Sequence, residues 1–392
     1  MLDTVLSPWP SYTPEEVEAV SRVLSSNRVN YWTGIECREF EREFARWCGC
    51  THAVTLANGT LALDVALKAL GIGSGDQVVV TPRSFMASVS CVVTAGATPV
   101  FADVDRNTQN ITAATIERVV TPRTRAIVCV HLAGMPCDMD PIMALAQRHG
   151  LRVIEDCAQA HGARYKGRSV GTIGDVGAWS FCQDKIMTTG GEGGMVTTDD
   201  PELWVRMWSY KDHGKSWAAV YERDHPPGFR WVHESFGTNW RMLEMQAVIG
   251  RIQLTRMTEW NARRTEIASR IAAALQASPA VRVPAIPEWA KHAYYRLYAF
   301  VRPELLAAGW SRDRIMEELH DRCVPCFQGS CSEIYLEKAF DSTGLRPQGR
   351  LPVARELGET GLAFLVHPTL TDQEVERMAQ VIAEVVSIAA GS

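Results

Sequence analysis

The sequence has no long hydrophobic run and no excess of positive charge. Its most apolar segments are interrupted by charge or proline within about a dozen residues, whereas a membrane-spanning helix needs roughly 20. The net charge is −5, and bulk binding to nucleic acid requires a basic face. The N-terminal residues contain neither a basic start nor an apolar signal core. These absences predict a cytoplasmic protein with no membrane segment and no nucleic-acid partner.

A disulfide framework and an evident metal cluster are also missing. The 11 cysteines are an odd number, and a reducing compartment explains them most simply. Cys323, Cys326 and Cys331 have a spacing that a metal or iron–sulfur cluster could use, but no fourth ligand is evident nearby. Cysteine is also a common buried residue. We therefore favour a structural role for these cysteines and predict no metal.

Short apolar runs alternate with helical patterns through the first half of the chain. The runs predict strands over residues 54–56, 77–81, 99–102, 126–130, 152–155 and 176–181. The intervening patterns predict helices over residues 61–70, 87–95 and 140–149. Apolar strands without alternation, separated by helices, are typical of an α/β fold with a mainly parallel sheet that is covered on both faces.

The flanking segments predict two N-terminal helices and a smaller C-terminal domain. Capping boxes begin helices at Thr13 and Thr371, and a second helix is predicted over residues 36–47. A helix over 201–210 precedes a long irregular loop, residues 212–234, and a further helix follows over 241–270. A strand over 294–301 and a helix over 311–322 complete an α+β unit. We place the boundary near residue 250, giving domains 1–250 and 251–392.

Lys185 is the candidate reactive residue. It follows the predicted strand that ends near Ser180, and a glycine-rich run separates it from the apolar segment 195–198. Glycines let the backbone pass close to a ligand, and a lysine in this position suits covalent chemistry on an amine.

Polar groups at other strand ends fit pyridoxal 5'-phosphate. Asp156 could pair with a protonated pyridine nitrogen, and the turn at Gly59 and Thr60 offers backbone N–H groups at a helix start for a phosphate. Ser180 adds a hydroxyl, and Phe85 could stack on a ring. Taken singly, each has a structural alternative: a helix cap, a turn or a core aromatic. Their order on one kind of sheet favours the cofactor.

Several ordered motifs carry a resemblance to a known family. Residues 155–167 (EDCAQAHGARYKG), 180–194 (SFCQDKIMTTGGEGG) and 237–242 (GTNWRM) resemble the nucleotide-sugar aminotransferases of the DegT/StrS group, which are fold type I pyridoxal phosphate enzymes. Residues 96–103, 110–111 and 130–134 fit the same pattern. The likeness extends from about residue 8 to residue 260 and is weaker beyond. It implies a seven-stranded type of sheet with a smaller C-terminal domain.

The resemblance also implies roles for individual residues. Lys185 would join the cofactor as a Schiff base, Asp156 would pair with the pyridine nitrogen, and Gln159 would lie near the phenolic oxygen. The implied phosphate contacts are Gly59, Thr60 and Ser180. Asn239 would reach the phosphate of the neighbouring subunit's cofactor, which predicts a homodimer with shared active sites.

Two departures from the family pattern stand out. Residues 188–192 (TTGGE) contain one glycine more than the usual TTGE, and Met135 stands where a polar residue is common. The sugar pocket has two further candidates, Trp32 and His213, although a packed core or a capped turn explains them equally well.

The expected reaction moves an amino group from an amino acid, glutamate being the expected donor, to a keto group of a nucleotide-linked deoxysugar. The product would serve polysaccharide or glycosylated-metabolite biosynthesis. Lys185 would act as general base and acid, with a pKa lowered by burial and by a cationic ring. The alternatives are a sugar dehydratase of the same fold, in which a histidine replaces the lysine, and a non-catalytic regulatory protein. A nicotinamide enzyme is excluded, because Gly171, Gly174 and Gly177 have the wrong spacing and position.

Overall fold

The computed structural model describes residues 6–224 and 230–391. Five residues of the predicted irregular loop, 225–229, thus lie outside the described part. The helices are α1 Pro14–Ser25, α2 Glu36–Cys48, α3 Gly59–Ala69, α4 Ala87–Thr94, α5 Ala113–Glu117, α6 Met139–His149, α7 Pro201–Tyr210, α8 Trp217–Tyr221, α9 Glu244–Leu275, α10 Arg312–Asp321, α11 Pro352–Thr360 and α12 Asp372–Ala389. The strands are β1 His52–Leu56, β2 Gln77–Val80, β3 Thr98–Phe101, β4 Thr124–Val130, β5 Arg152–Asp156, β6 Arg164–Tyr165, β7 Arg168–Ser169, β8 Val176–Ser180, β9 Gly194–Thr198, β10 Val281–Arg282, β11 Ala290–Lys291, β12 Leu297–Val301, β13 Cys326–Phe327 and β14 Gly361–Phe364.

The central sheet has seven strands in the order β1-β9-β8-β5-β4-β2-β3. Strands β8, β5, β4, β2 and β3 pair in parallel, whereas β9 is antiparallel to both of its neighbours. All strands of the sheet except β9 therefore point the same way. The predicted mainly parallel α/β sheet is confirmed.

Both faces of this sheet are buried, as the continuous apolar strands predict. Along β2, Val78 and Val80 belong to one apolar cluster and Val79 to another, because successive side chains point to opposite faces. Buried residues of α3 pack into the first cluster and buried residues of α6 into the second. With helices on both sides, the sheet exposes polar groups chiefly at its ends.

A second sheet lies in the C-terminal part, with the antiparallel order β10-β12-β14-β13. Helices α9, α10 and α12 contribute Ile271, Leu319 and Ile382 to its core. Helix α9 is continuous over 32 residues and contains residue 250. The division into domains 1–250 and 251–392 stays a prediction.

Local differences from the expected elements have physical reasons. The region predicted to be irregular contains α8, a five-residue helix whose Trp217 packs on Trp204 and Trp208. A helix this short shows no clear period in the sequence. The strand predicted from residue 294 begins at Leu297, because the backbone of Tyr295 instead bonds to the loop at Ala133.

A search of the described helices finds none with the length and apolar character needed to cross a bilayer.

Candidate active site

A cavity of about 740 Å³ opens at the carboxyl ends of the parallel strands, facing β12, β13 and β14 of the second sheet. Its size is that of a typical small-molecule site. Residues from β1, β2, β5 and β8 meet here because the ends of parallel strands share one edge of a sheet. The predicted residues that line it are Gly59, Thr60, Phe85, Asp156, Gln159, Ser180 and Lys185.

The start of α3 forms a cradle of backbone N–H groups. Asn58 caps the helix, its side-chain oxygen accepting from the N–H of Leu61 at 3.0 Å. The first N–H groups of a helix have no intrahelical acceptor and attract anions. A Cβ at Gly59 would lie 2.4 Å from the Cβ of Ser180, so only glycine allows this approach. The cradle and the Ser180 hydroxyl suit a phosphate.

Asp156 ends β5 as a buried carboxylate. Its Oδ2 accepts from the Ser88 hydroxyl at 2.7 Å, and its Oδ1 accepts from the Ala158 N–H at 3.1 Å. Burial raises the pKa of Asp156, and these two hydrogen bonds, with the charge of Lys185, only partly offset the effect. A cationic N–H in the cavity would stabilise the ionised form.

Lys185 faces the cavity beside Asp184 and Tyr295. Its Nζ lies 3.7 Å from Asp184 Oδ1 and 4.9 Å from the centre of the Tyr295 ring. Burial lowers the pKa of Lys185, but the electrostatic effects of Tyr295 and Asp184 outweigh it and the pKa is raised. The direction is opposite to the expected one, because no sequence motif indicates that these groups surround the amine.

The loop that carries Lys185 is closed by backbone bonds at its base. Phe181 N–H donates to the Gly193 carbonyl at 2.8 Å, and Thr189 N–H donates to the Phe181 carbonyl at 3.2 Å. The extra glycine lies beyond the second bond, where Gly190 and Gly191 both have positive φ, 85° and 119°. It therefore lengthens a turn without changing how Lys185 is anchored.

The N-terminal segment lies across the same loop. The indole Nε1 of Trp9 donates to the Lys185 carbonyl at 2.9 Å. Just before it, the Ser7 N–H donates to Glu374 Oε1 at 2.6 Å, and the Pro8 carbonyl accepts from the Thr369 hydroxyl at 2.8 Å. Residues near both ends of the chain thus hold the lysine-bearing loop.

The side-chain oxygen of Gln159 is held by a hydrogen bond, so its amide nitrogen is the atom that can face the cavity. The Oε1 atom accepts from the Ala133 N–H at 2.7 Å, in a turn where Ala133 has φ of 56°.

Met135, the second departure from the family pattern, is buried, and its carbonyl accepts from Asn110 at 2.8 Å. It is not among the described residues that line the cavity.

Among the described residues, His131, Glu155 and Cys157 form a buried group with metal-ligand chemistry. Its atoms are already engaged: Glu155 bonds His131 at 2.9 Å and accepts three backbone N–H groups, of Gly171, Ile173 and Gly174. Burial raises the pKa of Glu155, but these partners outweigh it and the pKa is lowered. His131, Glu155 and Cys157 therefore have a structural role.

The three cysteines whose spacing a metal cluster could have used do not come together. Cys323 and Cys331 are exposed and Cys326 is buried. Across residues 6–224 and 230–391, they form no group of three ligand atoms with each other or with nearby His, Asp or Glu.

Three other predicted residues lie outside the cavity-lining set of the described chain: Trp32, His213 and Asn239. Trp32 is half-buried against Tyr31, Trp208 and Tyr221. His213 and Asn239 are exposed and adjacent, since the His213 N–H donates to the Thr238 carbonyl at 2.9 Å.

Sequence reasoning missed four residues at the site: Ser88, Asp184, Tyr295 and Arg296. Ser88 lies within the helix α4, and Asp184 precedes the lysine without any motif of its own. Tyr295 and Arg296 lie at the start of the strand predicted over 294–301, and a strand pattern does not reveal which site its end will face. The only sequence signal for them is that Tyr295 and Arg296 form a polar pair directly before the apolar residues 297–301.

Comparison with known proteins agrees with this geometry. A model of the DegT/DnrJ/EryC1/StrS aminotransferase family matches residues 10–383. The structure of an aminotransferase from Psychrobacter cryohalolentis superposes with a TM-score of 0.97 at 64% identity, over 98% of this chain and 99% of that one.

Two curated relatives have similar lengths. A dTDP-3-amino-3,4,6-trideoxy-alpha-D-glucose transaminase from Streptomyces venezuelae is 36% identical, over 93% of this chain and 90% of its own. A UDP-N-acetyl-3-dehydro-alpha-D-glucosamine 3-aminotransferase from Acidithiobacillus ferrooxidans is 37% identical, over 94% and 93%. The predicted enzyme class is confirmed: the chain belongs to the DegT/DnrJ/EryC1/StrS aminotransferase family.

Proposed function

We propose that this enzyme uses pyridoxal 5'-phosphate to move an amino group from an amino acid, glutamate in our proposal, to a keto group of a nucleotide-linked deoxysugar. The product would enter a polysaccharide or a glycosylated metabolite, and the enzyme would work in the cytoplasm. The observation that carries the proposal is that Lys185, Asp156 and the N–H cradle of α3 face one cavity. A domain division at residue 250 is part of the same proposal.

The donor set fits the cofactor. The start of α3 and Ser180 suit its phosphate. Asp156 suits a protonated pyridine nitrogen because that carboxylate is buried and its hydrogen-bond donors among the described residues, Ser88 and Ala158, are neutral. The amide nitrogen of Gln159 is free to donate to the phenolic oxygen, and Phe85, 69% exposed at the cavity wall, can cover a ring face. Each contact supports the proposed role of its residue.

When bound, pyridoxal phosphate supplies a carbon that takes up the amino group and a ring that accepts an electron pair. The protein supplies position and protons. Lys185 Nζ would take a proton from the substrate carbon that bears the amino group and return one in the opposite half-reaction. Asp184, 3.7 Å from this amine, stabilises its protonated form before an amino acid binds. Asp156, fixed by Ser88, would hold the positive charge on the pyridine nitrogen.

The names of the two curated relatives support a nucleotide-linked sugar as acceptor. Both names specify an amino or keto function at position 3 of the sugar, but one carries dTDP and the other UDP. They favour the substrate class and leave the nucleotide open.

A homodimer with shared sites is the proposed assembly. Asn239 is exposed on the surface, close to two strongly exposed aromatic residues, Trp231 at 85% and Phe236 at 100%. Exposed apolar groups of this size are typical of interaction surfaces. His213, next to Asn239, would then reach the partner's sugar site, whereas the packing of Trp32 favours a structural role.

The sugar dehydratase alternative requires a histidine at the position of the cofactor-binding lysine. Here that position is Lys185, and its amine faces the cavity. This observation favours the aminotransferase.

The test combines a spectrum with a substrate screen. Purified protein, with added pyridoxal phosphate, should absorb visible light as a lysine adduct, and a screen of keto-sugar nucleotides with glutamate should reveal amino-sugar formation. Lys185→Ala should bind cofactor without forming the adduct and should not turn over. A wild-type protein that remains colourless with added cofactor would exclude the proposal.

Shared sites are tested by mixing inactive subunits. Lys185→Ala and Asn239→Ala proteins, unfolded and refolded together, should regain activity, because one site of each mixed dimer then has both intact residues. No recovery in dimers that contain both variants would contradict a shared site.

A further inference from the structure

The cavity has an uneven distribution of charge. Among the described residues that line it, the cationic side chains are Lys185 and Arg296. The proposed phosphate cradle uses backbone N–H groups and a hydroxyl, so Arg296 is not needed there. It belongs to the opposite wall, where its guanidinium lies 5.0 Å from the centre of the Tyr295 ring and 5.8 Å from that of Phe327.

A carboxylate of the chain already lies between these two cations. Asp184 Oδ1 is 3.7 Å from Lys185 Nζ, and Asp184 Oδ2 is 4.0 Å from Arg296 Nη2. The Tyr295 hydroxyl donates a hydrogen bond to the same Oδ2. The Asp184 side chain is 51% exposed, so solvent can accept it when another carboxylate takes its place and its interactions. The protein therefore contains a three-point carboxylate site with a removable occupant.

A further buried cation adds to the positive potential. Arg264 is 1% exposed, and its Nε and Nη2 have no hydrogen-bond partner among the described residues. Burial and the nearby charge of Arg296 lower its pKa to about 9, which leaves it charged at neutral pH. Burial lowers the pKa of the neighbouring His161 and His367 to about 3, so both are neutral. Lys185, Arg296 and Arg264 thus all act on Tyr295, and the first two lie within 4.0 Å of the Asp184 carboxylate.

We propose that Arg296, with the Tyr295 hydroxyl, binds the α-carboxylate of the amino-acid donor in place of Asp184. The inference rests on the proposed function. The amine nitrogen and the carboxylate carbon of an α-amino acid are only about 2.5 Å apart. A donor whose amine replaces Lys185 Nζ therefore brings its carboxylate close to where Asp184 now lies. The planar guanidinium suits a carboxylate, which it can bind through two parallel hydrogen bonds.

The diphosphate of the second substrate fits this position less well. It is attached to a ring carbon at least two bonds from the keto carbon and is reached through a further glycosidic oxygen, so it lies farther from Lys185 than the α-carboxylate of the amino acid does. Arg296 is separated from Lys185 by no more than one carboxylate group.

The test measures the two substrates separately in Arg296→Gln. The apparent KM for glutamate should rise roughly tenfold to a hundredfold, as expected for a lost charge-assisted bond. The KM for alanine, which has only the α-carboxylate, should rise by a similar factor. The KM for the nucleotide sugar should stay within about twofold. Arg314→Gln, which alters an exposed arginine outside the cavity, is the matched control.

Binding without turnover gives an independent readout. Calorimetric titration of cofactor-loaded protein with 2-oxoglutarate should show weaker binding for Arg296→Gln. Asp184→Asn removes the competing carboxylate and should instead bind 2-oxoglutarate several-fold more tightly. The visible spectrum of both variants before titration shows whether they have folded and loaded cofactor.

Three outcomes decide the matter. Opposite shifts in the two variants support the inference. An unchanged donor KM in Arg296→Gln, or a rise confined to the nucleotide sugar, overturns it while leaving the aminotransferase proposal intact. A wild-type protein that loads cofactor but converts no amino acid overturns both.

Discussion

Replacing Asp156 by asparagine separates the two roles of this carboxylate, in the fold and towards the cofactor. Asparagine has the same shape, but it carries no charge and can accept only one of the two hydrogen bonds, from the Ser88 hydroxyl or from the Ala158 N–H. Burial raises the pKa of Asp156, so the folded protein without cofactor disfavours the ionised form. A raised folded pKa means that stability is lost as the pH rises from the ordinary aspartate pKa through the folded value. The asparagine side chain cannot ionise, and the variant escapes this loss.

The two effects on the cofactor-free protein oppose each other. One lost hydrogen bond costs about 1 kcal/mol, and the removal of a disfavoured charge acts in the opposite direction, so the free energy of unfolding at pH 7 should fall by less than about 1 kcal/mol. Cofactor binding should suffer more. A charge-assisted bond to the pyridine nitrogen is worth about 1.5–3 kcal/mol, which corresponds to roughly a 10- to 100-fold weaker affinity.

The assay uses the Lys185→Ala background, so that covalent attachment does not mask the affinity. Equilibrium titration of pyridoxal phosphate gives the dissociation constants, and denaturant unfolding with and without cofactor gives the stabilities. Asp140→Asn, at an exposed aspartate outside the cavity, is the control. An affinity for cofactor within twofold of the parent would refute the assignment of Asp156, as would a large loss of stability without cofactor.

Two further predictions concern the cradle and the fold beneath the site. Gly59→Ala puts a Cβ 2.4 Å from the Cβ of Ser180. We therefore expect the free energy of unfolding to fall by about 1–3 kcal/mol and a titration to show weaker cofactor binding. The control is Gly73→Ala, whose Cβ would meet nothing nearer than 3.6 Å and which should match wild type. Equal cofactor affinity in the two variants would contradict the close approach. Glu155→Gln should lower the unfolding free energy at pH 7 by about 3–5 kcal/mol. Because the folded pKa of Glu155 is lowered, its stabilisation is present above the ordinary glutamate pKa and is lost as the pH falls through the folded value. Urea unfolding at pH 7 and pH 4 should therefore show a smaller pH dependence in the variant, and an unchanged dependence would count against this role.

The sheet and much of the cavity could be predicted from the sequence for one physical reason. Parallel strands bring their carboxyl ends to one edge, so Asp156, Ser180 and Gly59 converge even though more than a hundred residues separate the first and last of them. The order of polar residues after apolar runs is enough to place such a site. The depth of the cavity and the hydrogen bond between Ala133 and Gln159 follow from the same convergence of strand ends.

What the sequence could not predict depends on contacts between distant segments. Tyr295 and Arg296 precede a strand of the second sheet, and only the packing of that sheet against the first directs them at Lys185. The raised pKa of Lys185 follows from Tyr295 and Asp184, whereas the expected lowering considered burial and a cationic ring. The antiparallel direction of β9 was equally hidden, since an apolar run has the same composition in either direction.

The bonds of the N-terminal segment have a consequence for synthesis. Trp9 holds the carbonyl of Lys185, but the residues before it are held by Thr369 and Glu374 at the start of the last helix. A chain emerging from the ribosome supplies the sheet before it supplies these two partners. The lysine-bearing loop can therefore reach its final form only after residues 369–374 have been synthesised, and a nascent chain that already carries every cofactor contact but lacks them should hold the cofactor less well.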